Sequence, residues 1–242
     1  MNIQGKTALI TGGGRGIGFF IAKLFSSKGA KVILTGRNEV TLKEAVASIP
    51  NASYIVADVT NEKDQRNLVQ KAGNIDILVN NAGILLGAQA DGGADFIAKA
   101  KDEMNTNYFA VLELTELFLP VLKQSGDAAI INIQSILSYL PITMALTYSA
   151  SKAALHSYSQ GLRIVLEQKG AGVKVFEVFP PYIDTDMTKG VEVSKMKPED
   201  LATDILEGVE NDLYAIRSGL TKDVYANWHK APEATVAAIN GL

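Results

Sequence analysis

The chain has 242 residues, of which 47% are hydrophobic and 20% are charged, so it is neither disordered nor collagen-like nor a coiled coil. It has no cysteine and two histidines, which exclude disulfides and thiolate zinc sites and argue against a histidine-rich metal centre. The net charge of −3 lacks the basic excess of nucleic-acid-binding proteins. We therefore expect no metal and no nucleic-acid partner.

Neither a signal peptide nor a membrane span is predicted. The first residues lead into a glycine run, and the apolar stretch Tyr108–Leu122 is interrupted by Glu113 and Glu116. We therefore expect a cytoplasmic enzyme with no membrane partner. The length fits one domain over residues 1–242.

Apolar runs that predict strands alternate with stretches of helical periodicity along the whole chain. The predicted strands are Thr7–Ile10, Lys31–Leu34, Tyr54–Val56, Ile75–Val79, Ala128–Ile133, Val173–Phe179 and Leu213–Ile216. The predicted helices are Ile17–Ser27, Val40–Ser48, Lys63–Ala72, Phe96–Leu122, Tyr148–Gln168, Pro198–Val209 and part of Thr221–Leu242. This alternation predicts an α/β, doubly wound parallel sheet with helices on both faces.

Two local features refine this outline. Pro120 is expected to mark the last turn of the long helix, because proline cannot continue the hydrogen-bond ladder. Asp184–Lys197 is polar and poorly periodic, which predicts a loop after the sixth strand. In α/β proteins ligands bind at such strand ends, so we expect a substrate-loop region at about residues 184–210.

A glycine-rich loop follows the first strand and leads into the first helix. The loop reads Thr11-Gly-Gly-Gly-Arg-Gly-Ile-Gly18, with the spacing Gly12-x-x-x-Gly16-x-Gly18 in place of G-x-G-x-x-G or a P-loop. Such a loop allows a pyrophosphate to approach the free N–H groups of the helix. The predicted contacts are Gly12, Gly14, Arg15, Gly16, Ile17 and Gly18.

The end of the second strand indicates which dinucleotide is bound. An acidic residue there would bind the ribose 2′-hydroxyl of NAD, but the strand ends Thr35-Gly-Arg-Asn38. Arg37 and Arg15 are candidates to pair with a 2′-phosphate, which favours NADP(H) and leaves NAD(H) possible. The alternative is that both are solvated surface arginines.

Two further strand ends carry candidate cofactor contacts. Asp58 and Val59 follow the third strand, where a carboxylate is placed to accept from the adenine amino group. Asn81, Ala82 and Gly83 belong to the Asn-Asn-Ala-Gly sequence after the fourth strand. The alternative for each is a routine turn.

Tyr148 and Lys152 are candidate catalytic residues because side chains four residues apart share one face of a helix. A nearby ammonium lowers the pKa of a phenol toward the range useful for proton transfer. Ser135 follows the fifth strand and is placed to donate to a carbonyl oxygen, with Ser138 as a competitor. Asn107 inside the long helix predicts a local break that holds a water against Lys152.

Together these motifs resemble the classical short-chain dehydrogenase/reductase family over nearly the whole chain. The resemblance rests on Thr11–Gly18, on Asn80–Gly83, and on a catalytic tetrad at Asn107, Ser135, Tyr148 and Lys152. It implies a Rossmann-type, seven-stranded sheet of order 3-2-1-4-5-6-7. It also implies that Tyr148 is the general acid/base, Ser135 polarises the substrate oxygen, Lys152 lowers the tyrosine pKa and binds the ribose, and Asn107 supports a proton relay.

The segment after the sixth strand departs from the family's usual Pro-Gly-x-x-x-Thr. Here it reads Pro180-Pro-Tyr-Ile-Asp-Thr185, and Pro181 cannot take every conformation of glycine. Ile183 and Thr185 still match positions that meet the nicotinamide carboxamide and the phosphates. This form is similar to a bacterial branch named DltE-like.

The resemblance predicts an NADP(H)-dependent oxidoreductase acting on a small-molecule carbonyl or alcohol. Two alternatives stay open: a dinucleotide-binding regulatory or sensor protein with little turnover, and an isomerase or epimerase that reuses its cofactor. The family also implies a homodimer or homotetramer through the helices Phe96–Leu122 and Tyr148–Gln168. We expect the substrate pocket to draw on Ile136–Ile142, Tyr182 and the Asp184–Lys197 loop.

Overall fold

A computed structural model describes residues 1–87 and 95–242, and its centre is a seven-stranded parallel sheet. The strand order is β3-β2-β1-β4-β5-β6-β7, which confirms the predicted doubly wound topology. The strands are β1 Thr7–Thr11, β2 Lys31–Gly36, β3 Ala52–Val56, β4 Ile77–Asn80, β5 Ala128–Ile133, β6 Val173–Phe179 and β7 Ala215–Arg217.

Helices connect the strands as the alternation predicts. They are α1 Gly16–Ser27, α2 Glu39–Ala47, α3 Glu62–Ala72, α4 Phe96–Met104, α5 Ala110–Ser125, α6 Leu146–Gln168, α7 Pro198–Glu210, α8 Thr221–Lys230 and α9 Pro232–Ile239. Within the described ranges no helix is both long and apolar enough to cross a bilayer.

Two hydrophobic cores lie on opposite faces of the sheet. Adjacent residues of one strand face opposite sides, so Ile10 enters one core and Leu9 the other. The first core contains buried side chains of α1, α2 and α7, and the second contains those of α3, α5 and α6. Both faces of the central strands are therefore covered, as their continuous apolar sequences require.

The predicted long helix Phe96–Leu122 is interrupted and extended. Residues Asn105–Phe109 form a π-helical segment between α4 and α5, so the predicted break at Asn107 is present. Pro120 does not mark the last turn, because α5 continues to Ser125. Proline lacks one hydrogen bond, but the helix ends only at Gly126, which takes the left-handed conformation (φ 73°) that favours glycine.

The expected substrate-loop region contains two different structures. Residues 184–197 include a short 3₁₀ helix at Asp186–Thr188, and Ile183 forms a parallel bridge with Met196. Residues 198–210 belong to α7, whose apolar side chains pack into the same core as α1. Among residues 184–210, the irregular loop therefore ends at Lys197.

Candidate active site

The glycine loop follows β1, and glycine is required at different positions of the loop for different structural reasons. Gly12 and Gly16 have φ angles of +63° and +56°, which side chains rarely adopt. A Cβ at Gly18 would lie 2.6 Å from both the Asn81 Nδ2 and the Gly12 carbonyl oxygen. The loop and α1 can therefore lie this close to the end of β4 only because glycine occupies these positions.

Thr11 joins the glycine loop to the loop after β4. Its hydroxyl accepts from the N–H groups of Asn81 and Ala82, at 2.9 Å each, and donates to the Val79 carbonyl at 3.2 Å. Asn81 returns a bond from Nδ2 to the Thr11 carbonyl at 2.7 Å. Two predicted cofactor segments thus form one rigid edge at the carboxyl ends of β1 and β4.

The N-terminus of α1 suits an anion. Arg15 occupies the N-cap without a side-chain cap hydrogen bond, and no acidic residue lies in the first turn. The first N–H groups of Gly16, Ile17 and Gly18 thus have no capping side-chain acceptor, and the helix dipole favours negative charge there. Gly14 lies nearby, where a Cβ would approach the Thr41 methyl to 3.2 Å. These residues fit the pyrophosphate of a dinucleotide.

The two predicted phosphate-binding arginines are not paired with each other. Arg37 is exposed at the end of β2, whereas the Arg15 guanidinium lies 3.4 Å from the Asp186 carboxylate in the loop after β6. Both partners of that ion pair are exposed, with side chains 76% and 74% accessible, so solvent screens it. Arg15 can therefore leave Asp186 for a phosphate at little cost.

The third strand end holds its predicted contacts in a turn. One Asp58 oxygen accepts from the N–H and the hydroxyl of Thr60, at 2.9 and 2.8 Å. Val59 is buried in the core. Asp58 Oδ1 therefore stabilises a turn, whereas neither of these two hydrogen bonds uses Oδ2.

The loop after β6 lies against the glycine loop. A Cβ at Gly16 would lie 3.5 Å from the Thr185 methyl. The Thr188 hydroxyl donates to the carbonyl of the buried Ile183 at 2.5 Å, and the Pro180 carbonyl accepts from the Ile136 N–H at 3.0 Å. The Pro180–Thr185 segment therefore lies between the glycine loop and the loop after β5 that contains Ser135.

Asn107 is fully buried and holds the loop after β4. Its Oδ1 accepts from the Ile84 N–H, and its Nδ2 donates to the Ile84 carbonyl, each at 2.9 Å. Nδ2 also donates to the Ser151 hydroxyl at 3.0 Å. At Gly83 a Cβ would lie 3.1 Å from Asn107 Oδ1 and 3.7 Å from Lys152 Nζ, so these two groups flank one glycine.

Tyr148, Ser135 and Lys152 meet at the carboxyl end of β5. Tyr148 lies in the first turn of α6 and is 8% exposed. The centre of its ring lies 5.7 Å from Lys152 Nζ, which donates to the Ile133 carbonyl at 2.8 Å. Ser135 caps a 3₁₀ turn at Ile136–Ser138 and lies close enough to hydrogen-bond the phenol.

Burial shifts the pKa values of Tyr148 and Lys152. Burial raises the pKa of Tyr148 to about 12, although the Ser135 hydroxyl acts to lower it. Burial lowers the pKa of Lys152 to about 8. Desolvation is the largest cause of both shifts.

Other residues of the site were not predicted. A Cβ at Gly13 would lie 2.8 Å from the Leu34 side chain, although the motif leaves that position open. Gln134 accepts from Ser138 at 3.5 Å and donates to the buried Glu177 of β6 at 3.4 Å, which connects the loop after β5 to β6. Glu103 is buried and accepts a hydrogen bond from Thr147. The only indication in the sequence was its position four residues before Asn107, on the same face of the helix.

Comparison with known proteins agrees with this geometry. The short chain dehydrogenase family profile matches residues 6–196. The uncharacterized oxidoreductase DltE of Bacillus subtilis is 36% identical over 193 residues, covering 78% of this chain and 76% of that protein. The ketoacyl reductase HetN of a Nostoc species is 34% identical over 204 residues, covering 81% and 70%.

Two solved structures are similar in fold. A short chain dehydrogenase from Burkholderia cenocepacia in complex with NADP has a TM-score of 0.90 and 28% identity, covering 98% of both chains. A Burkholderia phymatum short chain dehydrogenase/reductase in complex with NAD has a TM-score of 0.86 at 22% identity, covering 97% of this chain and 96% of that one. The topology, the site and these relatives together show that the chain belongs to the short-chain dehydrogenase/reductase family of oxidoreductases, in its DltE-like branch.

Proposed function

We propose that the chain is an NADP(H)-dependent oxidoreductase that transfers a hydride between nicotinamide and a carbonyl or alcohol substrate. One observation carries the proposal: the buried phenol of Tyr148 lies beside the Ser135 hydroxyl and Lys152, at the carboxyl edge of the sheet. The glycine loop lies at the same edge. In α/β sheets this edge is where ligands bind.

The side chains then have distinct roles in reduction. Tyr148 donates its proton to the carbonyl oxygen, and Ser135 donates a hydrogen bond to the same oxygen as negative charge develops. Lys152, when protonated, stabilises the phenolate that Tyr148 becomes. When bound, the nicotinamide supplies the hydride in reduction and accepts it in oxidation. In oxidation Tyr148 takes the proton back from the alcohol.

A preference for NADP(H) is supported by the end of β2. Arg37 is exposed there, no acidic residue replaces it, and Arg15 is bound only by a solvent-screened ion pair. A relative of 28% identity was solved with NADP. NAD(H) remains a second cofactor, since the pyrophosphate site does not distinguish the two.

The substrate side is formed by the loops after β5 and β6. Ile136–Ile142 follows Ser135 after β5, and Tyr182 with residues 184–197 follows β6, the neighbouring strand. Ile136, Leu137 and Tyr148 belong to one buried cluster, against which Trp228 of α8 and Val236 of α9 pack. The name of the ketoacyl reductase relative supports a ketone as the reacting group.

Assembly into a homodimer or homotetramer is part of the same proposal. Ile97, Phe109, Ile164 and Val165 are 60, 48, 52 and 43% exposed on α4, the π-helical segment and α6. A groove of about 560 Å³ lies beside Ile97 and Phe109. Apolar side chains on neighbouring helices suit burial against a second copy.

Replacement of Tyr148 by phenylalanine tests the chemistry. We expect Tyr148→Phe to lower kcat/KM for NADPH-dependent carbonyl reduction by roughly two to four orders of magnitude, because the general acid is lost. NADPH oxidation is followed with a panel of aldehydes and ketones, and products are identified. Tyr158→Phe is the matched control, since Tyr158 lies about 15 Å further along the same helix.

Near wild-type reduction by Tyr148→Phe would contradict the mechanism. A wild-type protein that binds NADPH at micromolar concentration without turning over any carbonyl would favour the sensor alternative instead. Where the wild-type protein reduces a carbonyl, Tyr158→Phe should retain its rate, which separates loss of the proton donor from damage to α6.

A further inference from the structure

Glu103 is a buried carboxylate that the proposed proton transfer does not use. It lies in α4 with 0% of its surface exposed. A buried carboxylate is strongly destabilising unless donors satisfy it, so its partners show which contacts this fold depends on.

The two carboxylate oxygens join two different segments. Oε1 accepts from the Leu86 N–H at 2.6 Å, in the loop that follows β4. Oε2 accepts from the hydroxyl of Thr147, which directly precedes Tyr148 in the first turn of α6. One side chain of α4 therefore connects the loop after β4 to the helical turn that carries the phenol.

Glu103 works beside Asn107 on the same loop. Asn107 holds both backbone groups of Ile84, and Glu103 holds the N–H of Leu86. Gly83, just before this pair of contacts, lies beside Lys152 Nζ. The Asn107 and Glu103 side chains thus both bind the loop after β4 next to Lys152, and of the two Glu103 also binds Thr147.

We propose that Glu103 is a positioning residue for the hydride-transfer reaction: its carboxylate fixes the first turn of α6 against the loop after β4 and places a negative charge near the Tyr148 phenol. The inference rests on the proposed function, because it assigns Glu103 a role in that chemistry. It requires both the contact to Thr147 and the charge.

The charge acts on a phenol with few charged neighbours. Lys152 of α6 lies near the ring, the segment after β5 contributes the Ser135 hydroxyl, and α4 contributes Glu103. The negative charge of Glu103 raises the pKa of Tyr148. Glu103 therefore helps to keep the phenol protonated, which is the form that donates to a carbonyl.

Three variants separate the contact from the charge. Glu103→Gln keeps an acceptor for Leu86 and removes the charge. Thr147→Val keeps the charge and removes the contact, and Thr147→Ser restores the hydroxyl. Glu116→Gln is the matched control, because Glu116 is an exposed residue about 20 Å further along the continuous helical run.

The pH profile of carbonyl reduction gives the first readout. We expect Glu103→Gln to shift the alkaline fall of kcat/KM to lower pH, since loss of the negative charge lowers the pKa of Tyr148. We expect Thr147→Val to lower kcat about tenfold with the KM for NADPH unchanged, and Thr147→Ser to recover it. A profile unmoved by Glu103→Gln, or a Thr147→Val with wild-type kcat, would overturn the proposal.

The phenolate absorbance gives a readout that does not depend on turnover. The ultraviolet difference spectrum against Tyr148→Phe reports ionisation of Tyr148, over the pH range in which circular dichroism shows an intact fold. If no carbonyl is turned over but phenolate forms at lower pH in Glu103→Gln, the proposed function fails and the placement of the charge stands. If reduction occurs and phenolate formation is unchanged, the Glu103 proposal fails. If Glu103→Gln does not fold, the Thr147 pair decides: wild-type kcat in Thr147→Val overturns the proposal.

Discussion

The proposed function of Lys152 requires a buried charge, and that charge destabilises the folded protein. It is 4% exposed, and burial lowers its pKa to about 8, whereas an unfolded lysine titrates near 10.4. Between these values the unfolded state binds more protons, so the free energy of unfolding rises with pH. The cost of the buried charge is therefore full below about pH 8 and fades toward about pH 10.

Lys152→Met should stabilise the cofactor-free protein while abolishing reduction. We expect the free energy of unfolding at about pH 7 to rise by on the order of 1 kcal/mol, because removal of the charge outweighs loss of the bond to the Ile133 carbonyl. Urea unfolding at about pH 7 and about pH 9.5 measures the difference, which should shrink at the higher pH. Lys123→Met, at an exposed position of α5, is the control. A difference that grows with pH would contradict the argument.

Arg37 is the residue on which cofactor selectivity is proposed to depend. We expect Arg37→Asp to raise the Kd for NADPH by roughly 10–100-fold and to affect NADH far less, because a charge-assisted pair with the 2′-phosphate is lost. Fluorescence titration measures both constants. Lys31→Asp carries the same charge change at the start of the same strand, about 20 Å away, and should leave both constants unchanged. Equal weakening of both cofactors by Arg37→Asp would remove the 2′-phosphate assignment.

At the scale of residues, spacing in the sequence predicts a residue when the reason it is required lies in its own stretch of backbone. Gly12 and Gly16 are required by their positive φ angles, a local cause that leaves a fixed spacing in the sequence. Gly13 is required by the Leu34 side chain of β2, a tertiary neighbour that no local pattern reveals. Glu103 was missed for the same reason, since its partners lie in two distant segments.

At the scale of elements, the pattern predicts which helices and strands exist better than where they end. All seven strands follow apolar runs, but β4 is Ile77–Asn80 in place of Ile75–Val79, and β7 is Ala215–Arg217 in place of Leu213–Ile216. Their ends are set by pairing with neighbouring strands, which local hydrophobicity does not encode.

The π-helical segment shows how an element serves the site. Asn105–Phe109 inserts a wider turn between α4 and α5, and Asn107 within it reaches the loop after β4. An asparagine inside an apolar helix indicated a break, but its partners could not be predicted because they come from the loop after β4 and from α6. The predicted loop Asp184–Lys197 ends where α7 begins, because the apolar face of α7 belongs to the core.

At the scale of the whole molecule, the sheet order follows from the alternation of strands and helices together with the family resemblance. The parallel connections place every strand's carboxyl end at one edge, which is why motifs far apart in sequence meet there. That residues 1–242 form one domain stays a prediction. So does the assembly of several copies, which would cover apolar side chains that one chain leaves exposed.

Light scattering tests that assembly with one charge placed on the exposed face of α6. The wild-type chain of 25.9 kDa is expected to form a dimer or tetramer, and Ile164→Glu should shift the mass toward a smaller species, because a buried unpaired carboxylate opposes the interface. Val40→Glu is the matched control: Val40 is 64% exposed on α2, which packs into the first core, whereas α6 packs into the second core on the opposite face of the sheet. A wild-type monomer, or equal masses for wild type and Ile164→Glu, would contradict an interface through this face. Equal loss of mass in both variants would show a general effect of the added charge.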